Sequence, residues 1–195
     1  MQLTTTRTVL SAAALIFLTS GLGRAVSTPP DAQDQKSAVP TPVQRGAYLV
    51  RAMGCNDCHT PWKLGTKGPE PDMSRELSGH PADLVMPPAP KLSGPWTWSG
   101  GVTNTAFAGP WGTSFTANLT PDADTGLGKW TAETFIATLR TGRHEGKGRP
   151  LLPPMPWPMI RQLTDEDLRA VFAYLQSLPP IRNRVPAPVD PEDQQ

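Results

Sequence analysis

Cysteine is scarce in this chain: Cys55 and Cys58 are the only two in 195 residues. That excludes a disulfide framework and a four-cysteine metal site. A zinc site on this pair would need two further ligands, and beyond His59 the only histidines are His80 and His144. A thioredoxin-like dithiol needs a βαβ setting, which the flanking sequence does not supply. Charge of one sign is lacking as well. Of 18 basic residues, Arg7 and Arg24 fall in the first 25, leaving 16 against 17 acidic ones. So near-neutral a balance argues against nucleic acid as a partner. Long hydrophobic runs are missing too, since the apolar stretch at residues 9–18 is too short to span a membrane comfortably.

What the chain has in abundance is proline, with 24 residues, and glycine, with 17. These predict irregular loops with a few helices set among them, in one domain with one core. Residues 1–25 read as an export signal: Arg7 supplies the positive start, residues 9–18 the apolar run, and Gly23-Arg24-Ala25 a small-residue cleavage site. An uncleaved anchor is the alternative. Residues 26–41, rich in Ser, Thr, Pro, Asp and Gln, read as a flexible linker. The domain is expected at residues 42–182, followed by a disordered tail at 183–195.

Three helices are legible. Pro42 suits a first turn, and Tyr48, Leu49, Ala52 and Met53 fall at helical spacing up to the cysteines. Thr131 caps a second helix, with Trp130 and Phe135 as its hydrophobic staple, Ile136 and Leu139 on the buried face, and Gly142 just past its end. Thr164 caps the last, where Leu168, Val171, Phe172, Leu175 and Leu178 make one apolar stripe and Pro179-Pro180 ends it. Residues 60–115 read as irregular, with only 74–77 able to form a turn. Their six large rings, Trp62, Trp96, Trp98, Phe107, Trp111 and Phe115, are too costly to leave in water and argue for an ordered extension. Asp122, Asp124 and Glu133 match calcium-loop positions, but Leu127 stands where the loop needs glycine.

The chemistry is concentrated in Cys55-Asn56-Asp57-Cys58-His59. Two thiols three positions apart capture both vinyl groups of a haem as thioethers, and the next histidine is left to face the iron. With Gly54 and Thr60-Pro61 as flanks, this stretch resembles the attachment site of c-type cytochromes. Residues 118–130 resemble the run before the penultimate helix in cytochrome c subunits of bacterial periplasmic dehydrogenases. Gly46 and Tyr48 resemble the small and aromatic pair through which the first helix of such a domain crosses the last. In those subunits a Met-Pro-aromatic triplet gives the second axial ligand, and Met155-Pro156-Trp157 matches it; Met159, His144 and an open position are the alternatives. His80 reads as a hydrogen-bonding loop residue. The carbonyl that holds the His59 ring is expected at Gly68-Pro69, and Arg143 and Arg149 are candidates to offset propionate charge.

The resemblance implies a small all-α cytochrome c fold of the single-haem type, around one haem c bound by Cys55, Cys58, His59 and Met155. It implies one-electron transfer between redox partners in the periplasm, not catalysis. Those partners would be a dehydrogenase, an oxidase or another cytochrome, with membrane contact only through them or an uncleaved leader. The rival reading is a haem sensor or peroxidase-like catalyst with a displaceable sixth ligand.

Overall fold

In the computed structural model, which describes residues 39–194, the first element is α1 (Pro42–Ala52). The expected leader and most of the linker lie outside the described residues. Thr41 caps α1 by accepting from the Gln44 amide at 3.2 Å, and the Gln44 side chain accepts from the Thr41 amide at 2.9 Å. This reciprocal box satisfies two amides that the helix ladder cannot. Gly54, with φ of 67°, turns the chain directly into a second short helix, α2 (Cys55–His59). The helices legible in the sequence follow as α3 (Ala132–Thr141), capped by Thr131 and closed by left-handed Gly142, and α5 (Asp165–Ser177), capped by Thr164. Between them stands the one-turn α4 (Trp157–Ile160).

The core is built from one face of each long helix. Leu49 and Val50 of α1, Phe135, Ile136 and Leu139 of α3, and Leu168, Val171 and Leu175 of α5 belong to one buried cluster, together with Leu77, Leu127 and Ile160. Gly46 is buried at the α1–α5 crossing, where an added Cβ would run into the Ala170 carbonyl and lie 2.8 Å from Tyr174 Cβ. The expected aromatic partner is corrected. Tyr48 is 57 % exposed, with Arg45 stacked on its ring, and the residues that accompany Gly46 are Val50 and Tyr174. Val50 lies four positions after Gly46 and so returns to the same helix face, which Tyr48 does not.

Arg45 crosses from α1 to Asp167 on α5 at 2.8 and 3.3 Å. The hydrogen bond from Arg45 holds the Asp167 carboxyl below its ordinary value. Its contribution to stability is therefore complete above the unfolded carboxyl pKa, about 3.9, and is lost as pH falls through the lower folded value. Asp167→Asn is expected to cost about 0.5 kcal/mol near neutral pH. In denaturant titrations across pH, the gap between variant and parent should close on the acid limb; a gap independent of pH would contradict the pairing.

Residues 60–115, read from the sequence as irregular, hold regular structure. β1 (Trp62–Gly65) and β2 (Gly68–Pro71) form a hairpin, and β3 (Ser99–Gly100), β4 (Ala106–Gly109) and β5 (Gly112–Phe115) form an antiparallel sheet in the order β3-β4-β5. Strands of two to four residues carry too little alternation to show in sequence. Pro69 and Pro71 read as breakers yet sit in β2, which pairs with β1 alone and so needs no donor from them on its other edge. The expected turn is a 3-10 turn at Met73–Arg75.

The expected disordered tail is also corrected. Asn183 is buried: its side-chain nitrogen donates to the Ser78 and His80 carbonyls at 2.7 and 2.8 Å, and its oxygen accepts from the Ala82 amide at 2.9 Å. Further on, Val189 exchanges two backbone hydrogen bonds with Thr113, at 2.8 and 2.9 Å. Polar composition signalled disorder, but these polar groups satisfy buried backbone, which holds the segment in place.

Candidate functional site

α2 is short, but its pitch brings three of the candidate residues onto one face. Residues i, i+3 and i+4 of a helix share a face, so Cys55, Cys58 and His59 project together. Asn56 and Thr60 share another face, and there Thr60 Oγ1 donates to Asn56 Oδ1 at 2.7 Å while accepting from the Leu77 amide at 2.9 Å. The Asp57 carbonyl accepts from Asn104 Nδ2 at 2.7 Å and from Trp62 Nε1 at 3.1 Å. The long segment between residues 60 and 115 thus has a structural task that the sequence did not disclose: it braces the back of the two-cysteine turn.

Cys55 and Cys58 are free thiols. Burial pushes the Cys55 thiol up to about 11 and raises Cys58 as well. Cysteines used in dithiol exchange have lowered pKa values, and these two are shifted the other way. His59 is buried, and its Nδ1–H donates to the Ala117 carbonyl at 2.8 Å. Burial lowers the His59 pKa, opposed by that hydrogen bond, so the ring is neutral at physiological pH. With Nδ1 engaged, Nε2 is the nitrogen left for a metal. A backbone carbonyl was expected here, but not this one. Gly68 and Pro69 belong to the β1–β2 hairpin, where Pro69 pairs with Leu64. Ala117 directly precedes the Asn118 motif, the one signal that pointed to it.

Met155 is half-buried and packs against the hydrophobic core, whereas Met159 is 58 % exposed. The loop carrying Met155 is fastened on both sides. Ser114 Oγ donates to the Pro153 carbonyl at 2.7 Å, and the Leu151 amide to the Gly142 carbonyl at 2.8 Å. Trp157 seats its indole on Gly142, where a Cβ would lie 2.5 Å from the ring, and Arg161 covers that ring at 5.6 Å. Gly142 therefore serves twice, as the left-handed end of α3 and as the floor for the aromatic residue of the Met-Pro-Trp triplet.

The other candidates have other partners. His80 is fully buried, donates from Nε2 to the Leu84 carbonyl at 3.0 Å and accepts at Nδ1 from the Thr105 hydroxyl at 2.9 Å, as a loop hydrogen-bonding residue should. His144 is exposed and stands edge-on to Trp130. Arg143 donates to the Gly148 carbonyl at 3.0 Å, and Arg149 has no acidic partner among the described residues. Asp122 Oδ1 accepts from the Asp124 amide, the Thr125 amide and the Thr125 hydroxyl, which makes it the cap of a turn. No cluster of three or more His, Cys, Asp or Glu ligands occurs among the described residues.

Two buried donors, Trp111 Nε1 and Thr116 Oγ1, have no partner among the described residues. A third, Ser78 Oγ, lies in the loop that clasps Asn183. Unpaired buried donors are rare and call for an acceptor. Two thiols and an oriented imidazole on one helix face, a thioether on a fastened loop and donors awaiting an acceptor fit a porphyrin with carboxylate substituents.

A cytochrome c family model matches residues 43–179. Among curated proteins, the chain is 39 % identical over 94 residues to one of the subunits of nicotinate dehydrogenase from Pseudomonas putida, covering 47 % of this chain and 8 % of that one. It is 30 % identical over 143 residues to the cytochrome c subunit of the quinone alcohol dehydrogenase of Gluconobacter oxydans, covering 73 % and 22 %. To the gluconate 2-dehydrogenase cytochrome c subunit of Pantoea cypripedii it is 31 % identical over 132 residues, covering 68 % and 22 %. The chain thus spans less than a quarter of the length of these relatives. Since the matched region runs from the first turn of α1 to just past α5 and takes in every element of the site, this chain belongs to the cytochrome c family.

Proposed function

We propose that this protein carries single electrons on one covalent haem c held by Cys55 and Cys58, with His59 and Met155 as axial ligands. The observation that supports it is the His59 ring, oriented by the 2.8 Å hydrogen bond to Ala117 on the helix face that also carries both thiols. Bound haem c supplies a reversible Fe(II)/Fe(III) couple. The chain's own part is to fix the ring tautomer through Ala117, hold Met155 on a loop tied to Ser114 and Gly142, and keep water from the core-facing side. We take residues 1–25 as an export leader and place the protein in the periplasm. Its partners would be redox proteins, a dehydrogenase first among them, because relatives that share this domain are named as dehydrogenase subunits. It makes no bond to a substrate in this reading and is not an enzyme by itself.

The test is spectroscopic. The mature chain, expressed with a haem-ligation system, is expected to hold one haem that survives denaturation. It should show the weak far-red sulfur-to-iron band when oxidised, and fail to take up carbon monoxide when reduced. A colourless but folded product would refute the haem reading. Ready carbon monoxide uptake would refute the closed His/Met site and favour a sensor or peroxidase-like role.

A further inference from the structure

We propose that the segment from Val85 to Trp98 is a peripheral lipid-binding loop, which lays Leu92 and Trp96 into the headgroup region of an anionic membrane surface with Lys91 against the lipid phosphates. Membrane contact, expected from the sequence only through partners or an uncleaved leader, is here direct. No helix among the described residues is long and apolar enough to cross a membrane, so the contact is with its surface.

The β3–β4 ribbon holds the loop by its two ends. A Cβ on Gly101 would lie 2.9 Å from Met86 Cε, and the Trp98 ring stands edge-on to Phe107 with centroids 5.7 Å apart. Gly100 pairs with Phe107 across the ladder, so both anchors sit on that ribbon. Between them residues 90–97 are exposed without a break. Trp96 is 74 % exposed, and Val85, just before the first anchor, 87 %. Large apolar groups are costly to leave in water, and an exposed cluster of them marks a contact surface.

Three features favour lipid as the occupant. Between Asp83 and Asp122 the only charged residue is Lys91, and it has no acidic partner among the described residues. A stretch free of acid meets no repulsion at an anionic surface, and a free lysine is drawn to it. An indole, apolar but for one N–H, suits the boundary between acyl chains and headgroups. Pro87, Pro88, Pro90 and Pro95 have no N–H, so the loop carries fewer unpaired donors into a region poor in water. One such loop is a single signal, so binding is weak and reversible.

The test is co-sedimentation of the mature chain, expressed with a haem-ligation system, with vesicles of phosphatidylglycerol and phosphatidylcholine in equal parts. The parent is expected to bind. Trp96→Ser should weaken partitioning by about tenfold, and Lys91→Glu should weaken it by a similar factor while matching the parent on vesicles of phosphatidylcholine alone. Leu64→Ser, an exposed apolar residue on the β1–β2 hairpin, should leave it unchanged. A parent that does not bind overturns the proposal, as does a Trp96→Ser chain that binds like its parent or a Leu64→Ser chain that loses as much. A dimer that Trp96→Ser dissociates, found by sedimentation equilibrium in place of vesicle binding, would give the loop to a second copy. Should Trp96→Ser fail to fold, Val85→Ser is expected to lose binding by a smaller factor, and an unchanged bound fraction there overturns the proposal. Sedimentation reads the protein and not the haem, so failure of the haem reading would leave the outcome standing.

Discussion

Met155→Ala is expected to abolish the far-red sulfur-to-iron band and to lower the reduction potential, whereas Met159→Ala should retain both. The direction follows from softness: thioether sulfur favours the ferrous iron, so losing it stabilises the ferric state. Axial ligation spans about 0.8 V across haem proteins, and a fall of roughly 0.1–0.3 V is expected for this change. The sixth position would then be open to water or carbon monoxide. Stability should fall too, since Met155 packs against the core, by about 2 kcal/mol or more. Met159 is 58 % exposed, and truncating it should stay within about 0.5 kcal/mol. Absorption spectra and redox titrations of the two variants decide the matter: the reverse pattern would exchange their roles, and retention of the band in both would remove sulfur ligation by this loop altogether.

The loop's sequence explains why the two methionines differ although both are flanked by prolines or near them. Pro153, Pro154 and Pro156 restrict the unliganded chain around Met155, so little conformational freedom is lost when its sulfur is fixed. Ser114, Gly142 and the Trp157 ring then fasten the segment from three sides. Met159 comes after Trp157, inside the short α4, and its face of that turn points to solvent. Trp157 thus separates the fastened methionine from the solvent-facing one.

The parts of this fold legible in the sequence are those that announce themselves locally. Thr131 and Thr164 cap α3 and α5 where their hydroxyls preceded apolar stripes, and Gly142 ends α3 in the left-handed region that glycine tolerates. The two-cysteine turn was legible for the same reason, because its signal is a local spacing. What could not be read were relations across long separations. The His59–Ala117 bond joins residues 58 apart, and the Asn183 bonds to Ser78 and His80 join residues more than 100 apart. Neither a backbone carbonyl nor a lone asparagine in a polar tail carries any mark of its partner. The strands failed for a different reason: β3 has two residues, and prolines and glycines in β1–β2 signalled only that helix was forbidden. Large rings were a better guide to order than to burial, since Phe107 is buried while Trp96 is 74 % exposed.

Gly46→Ala is expected to destabilise the protein by about 3 kcal/mol, although alanine is the better helix former by about 1 kcal/mol. The sign is decided by what the new methyl meets. At this position it would collide with the backbone carbonyl of Ala170 and press within 2.8 Å of Tyr174 Cβ. A carbonyl inside α5 cannot swing aside as a side chain would, so α1 and α5 must move apart. Separation loosens Val50, Leu168 and Val171, which are nearly or fully sealed from solvent, and stretches the Arg45–Asp167 pair. It also reaches the site, because Gly54 joins α1 directly to the helix that carries both thiols and His59. Denaturant unfolding of the haem-loaded variant measures the cost. A fall of several kcal/mol would show that glycine stands here for its packing; a variant as stable as its parent, or more so, would show that the two helices do not approach as closely as this crossing requires.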